Sequence, residues 1–218
     1  MALTLVIGNK NYSSWSLRPW LMLKGAGLPF EEVNVPLYTD AVDKQRILDH
    51  APSGKVPILI DDGVTIWDSL AIIEYLAERF PQAGVWPADR TARALARSIS
   101  AEMHSGFMPL RNECGMNIHR PVRAKALSAD AQANAARIDD IWSDCRKRFG
   151  KDGPFLFGRF SAVDAMFAPV VHRFHTYAVD VSPEARTYMA AMMAFGPFKE
   201  WTDAALKETL VIEKFELD

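Results

Sequence analysis

Three short stretches carry residue types that could do chemistry: Ser13-Ser14, Val56-Pro57 and Asp68-Ser69. Asp68-Ser69 stands where a strand, Val64-Thr65-Ile66, gives way to a helical pattern with Leu70, Ile72, Ile73 and Leu76 on one face. The unpaired N–H groups of such a helix start suit a carboxylate, and Asp68 beside them could hold an amine. Val56-Pro57 enters the preceding strand, Ile58-Leu59-Ile60. Proline removes an N–H at a strand edge and can fix a cis bond, which leaves the Val56 N–H and C=O for an extended ligand. A peptide-backbone site beside a place for an adjacent carboxylate and amine describes a small γ-glutamyl peptide. Each pair is common by itself, and Asp68 reads equally well as an ordinary N-cap. Ser13 or Ser14 caps the helix that follows the loop Gly8 to Ser14.

These residues need elements to position them. Leu3 to Ile7 alternates weakly and reads as a buried first strand. A helix with Leu17, Trp20, Leu21 and Leu23 follows and stops near Gly25-Ala26-Gly27. Phe30 to Val35 is a second strand, and Asp43 to Asp49 a short helix. Asp61-Asp62-Gly63 then turns the third strand into the fourth. The order strand, helix, strand, helix, strand, strand, helix suits a four-stranded mixed sheet of thioredoxin type. Strand patterning ends at Pro81 to Pro87. After it come helices over Thr91 to Cys114, Ser128 to Phe149, a stretch opened by Ser161 and Asp164 as a capping box, Pro183 to Phe195, and Pro197 to Leu206. An α/β domain over residues 1–80 and an all-α domain over 90–218 are expected.

Composition narrows the class. The 218 residues are 49% hydrophobic and 24% charged, ordinary for a globular chain with a substantial core. A net charge of −2 gives no reason to expect nucleic acid or an anionic membrane as partner. Residues 1–7 lack the basic start of a signal peptide and no apolar run approaches a membrane span, so a cytoplasmic protein is expected. The two cysteines, Cys114 and Cys145, are too few for a disulfide scaffold. No metal site is expected: His172 and His175 are spaced i, i+3 without an acidic or cysteine partner. The six tryptophans read as core and interface residues.

Residues 54–76, GKVPILIDDGVTIWDSLAIIEYL, resemble the glutathione-binding half of cytosolic glutathione transferases, and DGVTIWDSLAIIEYLAE looks most like the zeta (maleylacetoacetate isomerase) class. Ser13-Ser14-Trp15-Ser16-Leu17-Arg18 aligns by spacing with the zeta signature Ser-Ser-Cys-Ser-x-Arg. The resemblance implies a thioredoxin-like domain followed by an all-α domain, a homodimer, and glutathione as co-substrate. It implies transfer of the glutathione thiolate to a small electrophile, by conjugation or by addition and elimination. Ser13 would favour the thiolate, with Ser14 the alternative. Lys55, Val56 and Pro57 would hold the middle of glutathione, and Asp68 with Ser69 its γ-glutamyl end. The electrophile would meet Trp15, His104, Met108, Arg111 and Arg173, and Trp67, Phe107 and Met108 would lie near the dimer seam. Asp164 would serve folding.

Two departures weaken the reading as maleylacetoacetate isomerase itself. Trp15 replaces the signature cysteine, and Thr176 stands where the class places a carboxylate-holding arginine, with Arg173 one turn earlier. A thiol oxidoreductase of omega or glutaredoxin kind would need a cysteine at the first helix start, and the first cysteine is Cys114. A non-catalytic glutathione-binding protein of the same fold is the remaining alternative.

Overall fold

The computed structural model describes residues 3–37 and 41–216. The first part of the chain forms β1 (Leu3–Ile7), α1 (Ser14–Gly25), β2 (Phe30–Asn34), α2 (Ala41–His50), β3 (Ile58–Asp61), β4 (Val64–Trp67) and α3 (Ser69–Arg79). The sheet order is β2-β1-β3-β4, with β1 parallel to β2 and antiparallel to β3, and β3 antiparallel to β4. Because β1 is central, both its faces are covered, which explains its nearly continuous apolar run. Leu3, Leu5 and Ile7 point to one face and join Leu17 and Leu21 of α1 and Ile72 and Leu76 of α3. Val6 points to the other and meets Ile47 of α2, Val35 and Ile58. This is the thioredoxin-like arrangement expected.

The rest is helical: α4 (Arg90–Ser105), α5 (Met108–Glu113), α6 (Ala129–Phe149), α7 (Ala162–Thr176), α8 (Pro183–Ala194) and α9 (Gly196–Ala205). α7 is buried along almost its whole length and packs on α1, α4 and α8, so it joins the sheet-bearing part to the helices. Its start is the capping box read from the sequence. Asp164 accepts from the Ser161 N–H at 2.9 Å and, with its other oxygen, from Leu156 N–H at 3.0 Å. Burial raises the Asp164 carboxyl to about 6 against these bonds.

Two expectations need correction. Thr91 to Cys114 is not one helix. Gly106 and Phe107 break it, Phe107 with φ of 63°, and α5 restarts at Met108. Continuing α4 would set the Pro109 ring against the carbonyl four residues earlier and forfeit its N–H, so the chain ends one helix and begins another. Phe107 is consequently buried in the main core, and it is withdrawn as a seam residue. Trp67 and Met108 remain exposed, 43% and 54%.

Candidate active site

A cleft of about 1390 Å³ lies between the sheet-bearing part and the helices. It gathers Ser13, Ser14 and Trp15 from the start of α1, Lys55, Val56 and Pro57 ahead of β3, and Asp68 and Ser69 between β4 and α3. Met108, Arg111 and Arg173 line it from the helical side. Of the residues expected to meet glutathione or the electrophile, only His104 is absent from the lining. It sits behind, with Nε2 3.2 Å from Asp68 Oδ2 and its ring edge-on to Trp15 at 5.3 Å.

The Val56–Pro57 peptide bond is cis. Asp68 adopts φ of 75°, and its Oδ1 accepts from Leu70 N–H at 2.8 Å and Ala71 N–H at 3.4 Å. Asp68 is therefore an N-cap and a cleft residue at once, with its second oxygen facing His104. Ser69 beside it is buried, and its hydroxyl has no hydrogen-bond partner among the described residues. A buried polar atom without a partner, on the wall of a cleft at a helix start, fits a ligand that accepts from it.

Ser13 occupies the N-cap position of α1, but its side chain does not cap the helix. Its ψ of 80° falls short of the extended value seen at Ser128 and Ser182, whose hydroxyls do accept from first-turn amides. Instead Ser13 Oγ donates to Ser16 Oγ at 2.7 Å, and Ser16 Oγ also accepts from Gly8 N–H at 3.2 Å. The positive end of α1 is left without a side-chain cap, beside Ser13 and Ser14 in the cleft.

The helical wall is cationic. Arg173 is buried, donates from Nε to Cys114 O at 2.8 Å, and is lowered by burial and by Arg111 to about 9, so it remains charged at neutral pH. Arg111 donates from Nε to Gly106 O at 3.0 Å and from Nη2 to Met103 O. Arg18 and Arg111 lie 4.2 and 5.0 Å from the Trp15 ring centre. Burial lowers His104, the two arginines lower it further, and Asp68 opposes them. Burial raises the Cys114 thiol to about 11, which makes it a poor nucleophile. Among the described residues no cluster of three or more His, Cys, Asp or Glu could hold a metal, and no helix is long and apolar enough to cross a membrane.

Sequence reasoning missed the contribution of the C-terminal segment. Lys214 and Phe215 line the cleft near Tyr12 and Ser13. Glu208 accepts from the Lys10 and Asn11 N–H groups at 2.7 and 2.9 Å, and the Tyr12 hydroxyl donates to Glu216. These contacts tie the loop before α1 to chain some 200 positions away, for example 204 positions from Tyr12 to Glu216. No local pattern signals such a pairing.

Comparison with known proteins identifies the family. Residues 12–79 match the glutathione S-transferase N-terminal domain and residues 125–204 the glutathione S-transferase C-terminal domain. A maleylacetoacetate isomerase of Rattus norvegicus is 32% identical over 78% of this chain and 77% of its own. A stringent starvation protein A homolog of Pasteurella multocida is 27% identical over 84% and 86%. The crystal structure of a Burkholderia glutathione transferase homolog with bound glutathione superposes with a TM-score of 0.72 at 27% identity, over 95% of this chain and 100% of that one. Two family domains in order and a relative matched over most of both chains place this chain in the glutathione S-transferase family, a family of glutathione-dependent enzymes, on its zeta side.

Proposed function

We propose that the protein binds glutathione in this cleft and adds its thiolate to a small electrophile, with a serine at the start of α1 stabilising the thiolate. The observation that carries the reading is the meeting of three separated pairs on one cleft: Ser13-Ser14, Val56-Pro57 and Asp68-Ser69. The γ-glutamyl carboxylate takes the Ser69 hydroxyl and the N-terminal amides of α3. The amine takes Asp68, and Lys55 and Val56 hold the cysteinyl part. The thiol then lies against the uncapped end of α1. A free thiol of pKa ~8.5 is mostly protonated at neutral pH, so a hydroxyl donor and a helix N-terminus shift it toward the thiolate. Ser13 is our first choice for that donor, with Ser14 behind it. Ser13 gives its proton to Ser16, and it must turn to give it to sulfur.

Arg111 and Arg173 hold an anionic group of the electrophile, so Arg173 supplies from one turn earlier the charge that Thr176 lacks. The chain acts in the cytoplasm as a two-fold dimer, with exposed Trp67 and Met108 at the seam, and its two units end and begin near residues 80 and 90.

The thiolate's ultraviolet absorbance, titrated on bound glutathione, tests the mechanism. In Ser13→Ala the midpoint should rise, each unit costing about 1.4 kcal/mol of thiolate stabilisation. The glutathione dissociation constant should change less than about threefold. A shift in Ser14→Ala alone would reassign the role, and no shift in either would reject serine activation. The alternative reading is a non-catalytic glutathione-binding protein of the same fold. Tight glutathione binding without turnover of any electrophile would select it.

A further inference from the structure

Arg18 is a buried cation that the proposed reaction leaves unused. Its side chain is 0% exposed, and Nε, Nη1 and Nη2 all lack a hydrogen-bond partner among the described residues. A guanidinium is charged at neutral pH and carries five donors, so burying it unpaired is strongly unfavourable. Its neighbours worsen the balance. After burial, Arg111 and Arg173 are the main influences lowering its pKa, and Asp68 alone opposes them. Asp68 is already committed to the α3 cap and to His104. One more unpartnered buried donor lies beside Asp68, the Ser69 hydroxyl. Unspent donors and positive charge therefore gather here without an acceptor to match. Over the guanidinium, 4.2 Å away, lies Trp15, itself on the cleft wall and 37% exposed.

We infer that the Arg18 guanidinium is an anion site with the Trp15 ring as its lid, taking a small carboxylate that enters from the cleft and pairs with the guanidinium fork. The planar fork matches a carboxylate in two parallel hydrogen bonds, which a halide cannot reproduce. The site requires neither glutathione nor turnover, so it stands or falls apart from the transferase reading.

Calorimetric titration of acetate at constant ionic strength tests it. Wild type should bind one acetate per chain, and Arg18→Met should weaken binding at least about tenfold, as expected for loss of a charge-assisted pair. Arg111→Met should weaken it less. Binding that survives Arg18→Met but fails in Arg111→Met would put acetate in the open cleft and overturn the inference. So would an absence of acetate binding to wild type. Should Arg18→Met fail to fold, Trp15→Ala gives the second arm. In that variant phenylglyoxal should modify Arg18, mapped by peptide mass, and acetate should protect it. No reaction at Arg18, or reaction that acetate does not slow, would overturn it. Competition between acetate and a carboxylate-bearing electrophile would assign the anion to the substrate, and its absence to a free carboxylate, both within the proposed site.

Discussion

The two sides of the cleft are built differently. On the sheet side, Val56-Pro57 and Asp68-Ser69 sit at a strand entry and a helix start, and much of what they offer a ligand is backbone held by regular elements. On the helical side, the wall is made of long side chains from distant segments: Arg111 from α5, Arg173 from α7 and Lys214 from the C-terminal segment. Trp15 stands at the join, next to the serines but in contact with Arg18, Arg111 and His104. A site made of backbone at element ends tolerates substitution nearby and keeps its ligand. A site made of side chains can change its ligand by exchanging one residue for another. Arg173 of α7 puts a guanidinium on that wall.

If the two sides are independent, each can be disabled without the other. The largest effect is expected at the sheet side. Asp68→Ala and Ser69→Ala should each weaken glutathione binding by roughly 1.5–3 kcal/mol. The buried Ser69 should fall toward the upper end, and the half-exposed Asp68 toward the lower. Asp68→Ala should also cost about 1 kcal/mol of folding stability through the lost α3 cap, read by chemical denaturation. Calorimetry showing unchanged affinity in both variants would remove the sheet side from the glutathione site.

The helical side should respond in the opposite sense. Arg173→Gln should lower kcat/KM for an anionic electrophile about ten- to a hundredfold, the range for a lost hydrogen bond to a charged group, while a neutral electrophile changes little. Glutathione affinity should stay within about threefold. A matching loss of glutathione affinity would show that the sides are one unit and break the comparison.

The smallest effect near neutral pH concerns α7, which supports both sides. His172, next to Arg173, is buried against Phe198 and lowered to about 3, by burial first and then by His175 and Arg173. An unfolded histidine takes a proton near pH 6.5, so between that pH and about 3 the unfolded chain binds more protons. This contribution is fully present above pH 6.5 and is lost as pH falls. Asp164 works against it, because its raised carboxyl favours the folded chain as pH falls from about 6. The difference between wild type and His172→Gln isolates the histidine. The wild-type advantage should shrink on acidification by up to about 1.4 kcal/mol per pH unit below 6. Parallel stability curves from pH 7 to 5 would contradict the burial of a neutral His172.

The alternation in β1, the turn at Asp61 to Gly63 and the Asp68-Ser69 helix start are local patterns, set by side-chain period, turn chemistry and capping over a few residues. The sequence by itself therefore determined the sheet and its order of elements, while the choice of the three pairs as cleft residues came from their combined resemblance to a family. The Gly106–Pro109 break was also present in the residues, as a helix breaker and a proline three positions apart, but helical periodicity on either side hid it. Tertiary structure alone decided the rest. It turned Ser13 away from its cap toward Ser16, set two arginines on Trp15, and brought Glu208 and Glu216 to the loop before α1. It also left Arg18 buried without a partner. Those outcomes depend on where distant helices pack and which long side chains then share a space, and no spacing along the chain encodes that.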